Sequence, residues 1–308
     1  MNNVIAIIVA YDPELDALTR LLQAITPQVR HVVVVDNGSR MCMADWLAGQ
    51  GAGTVQSIIF KENRGIAAAQ NAGIAWAREH GGEFVLLLDQ DSTPAADMVC
   101  RLREALASLV EQGERPAAVG PAYRSLGEKS AVFGIREEKG RVRRIPIHRE
   151  GIFPTDTIIA SGSLVPLSVL DVVGEMEAAF FIDAVDTEWC LRAKAAGFGV
   201  FLVTGAHMTH AIGEQRRRLW LGRWRQVPIH RPRRSYYISR NNLLLCFRPY
   251  VSRAWARYIF SWVLKRLAYF LLFGPERLAH VSAILRGIRD GWRMRRMEQL
   301  WQDQDVHF

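Results

Sequence analysis

Cysteine is scarce: four in 308 residues, at positions 42, 100, 190 and 246, with no C-x-x-C pair. That spacing excludes a disulfide framework or a zinc cage and predicts reduced core thiols in a reducing compartment. No glycine-rich turn follows the first apolar run. "AYDPEL" (10–15) lacks the G-x-G-x-x-G that a dinucleotide fold places there, which argues against a nicotinamide dehydrogenase. Met1-Asn2-Asn3 leads into "VIAIIVAY" without a basic stretch or a small-residue cleavage site, so a first strand is expected and not a secretion signal. Uninterrupted apolar runs of spanning length are missing too. The longest candidate, "WARYIFSWVLKRLAYFLLF" (255–273), is broken by Arg257, Lys265 and Arg266, charges that lipid burial penalises heavily.

A composition of 49% hydrophobic and 23% charged residues belongs to a folded chain, not a disordered one. Its length admits one large domain or two. The net charge of +8 hides an asymmetry. Residues 209–308 carry 20 Lys/Arg against 6 Asp/Glu, a balance of +14, whereas residues 1–208 carry 19 against 25, a balance of −6. A basic, aromatic-rich tail suits an anionic surface, and no nucleic-acid-binding module accompanies it, which favours lipid over nucleic acid. Arg253, Arg257, Ser261 and Lys265 recur every fourth residue as one polar stripe, with Trp255, Trp262, Tyr269 and Phe270 elsewhere on the helix. Such a helix lies in the headgroup plane of a membrane. A second amphipathic helix is expected after Pro275. The competing reading is a helical hairpin packed on the rest of the protein or on a second copy.

Short β-branched runs alternate with helical patterns over the first two-thirds of the chain. "VIAIIVA" (4–10), "HVVVVD" (31–36), "VQSIIF" (55–60) and "EFVLLLD" (83–89) are separated by helices opened near Pro13, at 66–80 and near 95–112. Runs without period-2 alternation predict a mostly parallel, doubly wound α/β sheet covered on both faces. The charged segment 123–150 ("REEKGRVRR") breaks this rhythm as a surface hairpin or insertion. Order resumes with "TIIASGSLVPL", a helix near 184–196 and "FGVFLV". The pattern becomes wholly helical from about 235. The expected division is therefore 1–234, with halves of about 1–120 and 121–234, and a basic helical region over 235–308.

In such sheets ligands sit beyond the carboxyl ends of the strands. Three candidate sites fall there: Tyr11-Asp12, Asp36-Asn37-Gly38-Ser39, and "FVLLLDQDST" (84–93). Asp89 and Asp91, two residues apart in extended chain, put both carboxylates on one side, a hard-oxygen pair suited to Mg²⁺ or Mn²⁺ shared with phosphates. The competing reading is an acidic turn whose Asp91 or Ser92 caps the next helix. Asp303-Gln304-Asp305 repeats the tripeptide with no apolar run before it, and is the copy that chance supplies.

"VVVVDNGS" (32–39), "ENRGIAAAQNAGI" (62–74), "LLLDQDS" (86–92) and "FIDAVDTEWCLRA" (181–193) stand in one order. That order resembles inverting family-2 glycosyltransferases of the GT-A fold, and most nearly the bacterial rhamnosyltransferase branch, over about residues 4–245. The resemblance implies a Rossmann-like nucleotide-sugar-binding domain with dTDP-L-rhamnose as donor. It implies contacts from Tyr11 and Asp36 to base and ribose, and a donor wall shaped by Asn63, Gly65, Asn71 and Gly73. Helix packing is the competing reading for Asn71 and Gly73. An inverting transfer needs one base for the acceptor hydroxyl. The resemblance maps it to Asp186, with Asp183 and Glu188 as contenders, all three at an acidic helix start that the dipole alone would favour.

His207 and His210 in "AHMTHAIGE" have no cysteine or third histidine at zinc spacing. The resemblance makes His210 a metal ligand beside Asp89 and Asp91, and leaves His207 a hydrogen-bonding residue. The arginine-rich segment after Glu214 reads as a mobile lid for donor phosphates or an anionic acceptor, or as a solvated basic loop. "RSYYISRN" (234–241) resembles a stretch of the rhamnosyltransferase branch. That singles out Tyr236, Tyr237, Arg240 and Asn241, with Arg240 on the donor side. The implied acceptor is a glycan or lipid-linked glycan of the lipopolysaccharide core, O-antigen or rhamnolipid type. The implied location is peripheral, on the cytoplasmic face of the bacterial inner membrane, with no nucleic-acid partner and an oligomer possible. The alternatives are transfer from another nucleotide-hexose, a nucleotidyltransferase on a related fold, and a catalytically silent membrane adaptor. A nucleotidyltransferase would want a Gly-rich, Arg/Lys-bearing loop after the first strand, which "AYDPELDA" lacks.

Overall fold

The computed structural model describes residues 3–49, 54–125, 132–210, 216–220, 224–228 and 230–305, with the backbone alone at 123–125, 210, 216–220, 224–228 and 298–305. The chain forms two compact units. The first holds residues 1–138, 143–181 and 185–211, and the second 139–142, 182–184 and 212–308.

The first unit opens with β1 (Val4–Ala10), α1 (Leu15–Ile25), β2 (His31–Asp36), α2 (Met43–Gly49), β3 (Val55–Ile59), α3 (Ile66–Glu79) and β4 (Phe84–Asp89). It continues through β5 (Ser92–Pro94), α4 (Met98–Glu111), β6 (Pro116–Ser125) and the hairpin strands β7 (Val132–Glu138) and β8 (Arg141–Ile147). Then come β9 (Ile152–Thr155), β10 (Leu164–Pro166), α5 (Leu167–Val173), α6 (Val185–Ala195) and β11 (Gly199–His210). The expected strands thus appear within a residue of their predicted bounds. The charged segment is the β7–β8 hairpin.

Nine strands form one sheet in the order β3-β2-β1-β4-β10-β6-β11-β5, with β9 also on β11. β1 runs parallel to both β2 and β4. β10 reverses against β4 and β6, and β6 and β11 are parallel again. The sheet is mixed but mostly parallel.

Both faces are covered, which is why the strands read as unbroken apolar runs. Val4, Ala6, Ile8 and Ala10 of β1 join one buried cluster with Leu18 and Leu21 of α1, Met43 of α2 and Leu102 and Leu106 of α4. The alternate residue Ile7 faces α3, which approaches so closely that a Cβ on Gly73 would overlap the Ile7 side chain. Packing therefore accounts for Gly73.

The second unit contains a hairpin of β12 (Arg216–Trp220) and β13 (Trp224–Pro228), then α7 (Pro232–Cys246), α8 (Arg253–Leu272) and α9 (Arg277–Asp305). Contacts divide the chain at 211/212, earlier than the expected 234/235. The helical pattern marks only the start of α7, whereas the chain leaves the large sheet after β11. The arginine-rich segment is a β-hairpin where the backbone is described, and its side chains lie outside the described residues.

Among the described residues no helix is long and apolar enough to cross a membrane. Trp255 and Phe270, expected at a lipid face, are instead buried, and Phe270 stacks on His280 at 3.8 Å. Trp262 is exposed, as are Arg253, Arg257 and Lys265 of the polar stripe. The cysteines also depart from expectation. Cys190 is buried, but Cys42, in the loop just before α2, and Cys100, in the first turn of α4 outside its apolar face, lie on the surface.

Replacing Gly73 by alanine should destabilise the protein by about 1–3 kcal/mol, the cost of overpacking a rigid helix–sheet contact. Urea unfolding measures it, and an unchanged midpoint would remove the close approach of α3 to β1.

Candidate active site at the carboxyl edge of the sheet

Register decides which residues share this edge. Ala10 pairs with Asp36, and Val9 with Asp89, so β1, β2 and β4 stop at one level. The chain turns to opposite sides of β1 to reach β2 and β4, making this the topological switch point where open α/β sheets bind ligands. Four loops meet there and are tied to one another.

Gln90, the middle residue of Asp89-Gln90-Asp91, clamps the end of β1. Its Oε1 accepts from the Tyr11 N–H at 2.7 Å, and its Nε2 donates to the Tyr11 carbonyl at 3.4 Å. The Tyr11 ring stays about half exposed. Asp12 takes a positive φ of 43° and donates its N–H to Ser39 Oγ at 2.8 Å. Its carboxylate accepts from the Arg40 backbone and guanidinium at 3.0 and 2.9 Å. The Arg40 backbone N–H is the main cause that holds the Asp12 carboxyl below the usual range, with the guanidinium charge adding to it.

Asp36 is buried and accepts from the Ser39 N–H at 3.0 Å. Asn37 and Asn63 share a hydrogen bond of 3.2 Å, while their amide oxygens accept from the Arg64 and Gly65 N–H groups at 2.8 and 3.0 Å. Asn63 thus shapes its own loop. Gly65 has φ 89°, and a Cβ there would stand 2.5 Å from the Phe181 carbonyl oxygen. Only glycine fits, and what approaches it is protein backbone, since that same carbonyl accepts from the Ile66 N–H at 2.6 Å. Asn71 is bonded in both directions to Met176, Nδ2 to the carbonyl at 2.9 Å and Oδ1 from the N–H at 3.0 Å. Its amide anchors the loop that carries Met176.

Asp89 and Asp91 flank the turn at the end of β4, and both are half-buried. The Asp89 N–H donates to Ser161 Oγ at 2.9 Å, and Ser161 Oγ lies 2.7 Å from Ser92 Oγ, so a buried serine pair fixes the turn from below. Ser92 begins β5, a strand and not a helix cap; α4 starts only at Met98. β5 pairs with β11 so that His210 stands opposite Ser92, one residue beyond Asp91. The His210 side chain lies outside the described residues. Among the described residues no cluster of three metal-ligating side chains forms. The second Asp-Gln-Asp falls on the last turn of α9, with its side chains outside the described residues.

Val185, Asp186 and Glu188 begin α6. Asp186 is half-buried, its Oδ1 accepting from the Thr187 N–H at 2.7 Å, and it borders an apolar slot lined by Leu87, Ile158, Trp189 and Cys190. Burial pushes the Cys190 thiol up to about 12, so it is an inert neighbour and no nucleophile. Glu188 is buried in a two-point ion pair with Arg192 (2.7 and 3.0 Å), whose guanidinium also holds the Val173 and Glu175 carbonyls. That makes Glu188 a strut. A cavity of about 650 Å³ lined by Glu83, Phe84, Arg115, Pro166 and Phe198 opens at the amino ends of the strands, away from this chemistry.

In the second unit, Asp183 is gripped by Arg234 at 3.0–3.2 Å, which makes it an anchor and not a free base. Arg240 is buried, donates to Asn241 Oδ1 at 2.9 Å, and lies over the Tyr237 ring at 5.0 Å. Sequence reading missed Gln90 and Ser161. Gln90 carried a signal, a polar residue between two acids on the opposite side of the extended chain; Ser161 carried none.

Carboxylates beyond a mostly parallel sheet's carboxyl edge, at its switch point, suit a metal shared with phosphates. Comparison with known proteins supplies the family. The Glycosyl transferase family 2 profile matches residues 5–143. A protein of Shigella flexneri named dTDP-rhamnosyl transferase RfbF is 36% identical over 253 residues, covering 81% of this chain and 82% of that one.

Among solved structures, GalNAc-T7 with UDP, GalNAc and Mn²⁺ superposes with a TM-score of 0.58 at 13% identity, covering 87% of this chain. This chain spans only 57% of GalNAc-T7. S. aureus TarS 1-349 in complex with UDP-GlcNAc gives 0.56 at 15% identity, covering 94% and 82%. These two likenesses establish the GT-A fold. The chain belongs to glycosyl transferase family 2 and is a glycosyltransferase.

Gln90→Ala should cost about 0.5–1.5 kcal/mol, the net worth of such hydrogen bonds. Hydrogen exchange at the Tyr11 amide should also speed up, and unchanged protection there would show that Gln90 does not hold the loop.

Proposed function

We propose that this enzyme transfers L-rhamnose, with inversion, from dTDP-L-rhamnose to a hydroxyl of a bacterial cell-surface glycan or glycolipid. One observation carries the donor: 36% identity across four-fifths of the chain to a protein named for dTDP-rhamnosyl transfer. Tyr11 and Asp36, on adjoining loops of the switch point, would receive the nucleotide's base and ribose.

Asp89 and Asp91, with His210 brought into register beside them, would hold Mg²⁺ or Mn²⁺. Two half-buried carboxylates flanking a tied-down turn suit such an ion. When bound, it offsets the charge that develops on the departing diphosphate. Asp186 is the assigned base. It lies on the first turn of α6, at the position where the family resemblance puts the base, beside the apolar slot. Its carboxylate takes the acceptor proton as the acceptor oxygen bonds to the anomeric carbon and the bond to phosphate breaks.

The basic second unit would hold the enzyme on an anionic membrane surface, on the cytoplasmic face of the inner membrane. Leu271, Leu272, Phe273 and Leu278 are exposed together around the α8–α9 turn, Leu278 at 87%, with Lys265 and Arg277 close by in sequence. Exposed apolar side chains beside basic ones are how such helices bind.

Asp91→Ala should reduce transfer by roughly 100-fold or more while the protein remains folded, and a chelator should do the same to the wild type. In a panel of dTDP-rhamnose, UDP-glucose, UDP-galactose and GDP-mannose, metal-dependent turnover should favour the first. Full activity of Asp91→Ala would remove the metal site, and preference for another hexose would overturn the donor. Anionic vesicles should co-sediment the protein at low salt, with neutral vesicles leaving it in solution; equal binding to both would remove the electrostatic part of the membrane reading.

A further inference from the structure

Where the strand ladders end, a side chain continues one of them. The last pairs of β1 are Ala10 with Asp36 and Val9 with Asp89, so Tyr11 lies past both ladders. Its peptide groups are nevertheless held, and by a single residue. Gln90 Oε1 accepts from the Tyr11 N–H at 2.7 Å and Nε2 donates to the Tyr11 carbonyl at 3.4 Å, so the primary amide stands in for one more residue of backbone. The shorter bond carries most of the hold. The chain bends immediately afterwards: Asp12 has φ 43°, with its N–H on Ser39 Oγ and its carboxylate on Arg40. Tyr11 is thus fixed through its backbone while its ring stays about half exposed. Every residue named here lies in the first unit.

We infer that Gln90 is a positioning residue for the nucleotide base, acting through Tyr11. The inference rests on the reading that Tyr11 receives the base and that the Asp89–Asp91 turn receives the diphosphate. Gln90 is peptide-bonded to both aspartates, so its side chain ties the base end of the donor site to the phosphate end. Base and diphosphate belong to one ligand, and each strengthens the other's binding only if their contacts stand at the spacing the ligand spans. An untethered Tyr11 loop would have to be ordered at every binding event, which lowers affinity for the base and leaves the diphosphate contact as it was. Binding lost equally in ground and transition states raises KM and leaves kcat.

The experiment measures Kd for dTDP and for pyrophosphate, each with Mn²⁺, on the full chain. It also measures kcat and KM for hydrolysis of dTDP-rhamnose, with water in the acceptor's place. The variants are Gln90→Met, Gln90→Glu, Tyr11→Ala and the double variant Tyr11→Ala/Gln90→Met. Gln90→Met keeps the bulk and removes both hydrogen bonds. It should weaken dTDP roughly three- to tenfold, move pyrophosphate less than about twofold, and raise donor KM with kcat within about threefold. Gln90→Glu keeps the acceptor for the Tyr11 N–H. Its charge shifts dTDP and pyrophosphate alike, so the ratio of the two affinities should return close to the wild-type value. Tyr11→Ala should weaken dTDP roughly tenfold, as loss of an aromatic contact to a base does. Because Gln90 acts through Tyr11, adding Gln90→Met to Tyr11→Ala should weaken dTDP less than about twofold further. A merely structural role would give additive losses and no recovery with glutamate.

Gln90 is only partly buried, so methionine is accommodated there without repacking a core. If Gln90→Met nonetheless fails to fold, Gln90→Asn, a methylene too short to span the gap, should show the same selective loss of dTDP. Wild-type dTDP affinity in Gln90→Met beside a weakened Tyr11→Ala overturns the positioning role and leaves the base reading standing. Equal losses on dTDP and pyrophosphate, losses that add in the double variant, or no recovery with glutamate overturn it likewise. A Tyr11→Ala that binds dTDP as the wild type does overturns the reading of Tyr11 itself, and the inference with it.

Discussion

Parallel pairing of β1 with β2 and with β4 in one register is the constraint on which the site depends. Shifting either pair by one residue would turn its strand's side chains to the opposite face. Asp36 and Asp89 would no longer close the same edge. The apolar residues that enforce the register come from both faces of the sheet, so the core and the site are specified together. Val4, Ala6 and Ile8 bury against α1 and α4, while Ile7 meets the bare backbone of α3 at Gly73. The acids sit where the apolar runs end, Asp36 still buried and Asp89 half-buried.

The polar groups around the edge are spent mainly on holding loops still. Gln90, Ser39, Asn37, Asn63 and Ser161 each bond a backbone amide or a neighbouring side chain. A site built this way has much of its ordering entropy removed before a ligand arrives. Glu188 and Asp183 belong to the same scheme although they look like catalytic acids in the sequence. A carboxylate with an arginine fork on it is already committed.

The strands and the acidic pair were legible because local pattern carries them: β-branched runs, and an apolar run that ends in acid. Family likeness added the order of the motifs. What could not be read was every tie between residues far apart in the chain, such as Gln90 with Tyr11 and Ser161 with Asp89. No local preference marks a glutamine that will find a backbone 79 residues away. The tail shows the same limit. Periodicity located the helices, yet Trp255 and Phe270 are buried, Phe270 against His280 of α9, which a single-helix pattern does not reveal. The cysteines were misjudged for a related reason: burial of a thiol depends on its place in the fold, and Cys42 lies in the loop before α2 while Cys100 is on the outer face of α4.

That surface placement of Cys42 has a practical consequence. It lies just past Ser39, on the stretch of chain between the switch-point loop and α2, while the innermost thiol, Cys190, is too weakly acidic to compete for an alkylating dye. With Cys100 replaced, Cys42 is the one exposed thiol among the described residues, and a fluorophore could be attached there, next in sequence to the loops at the carboxyl edge of the sheet.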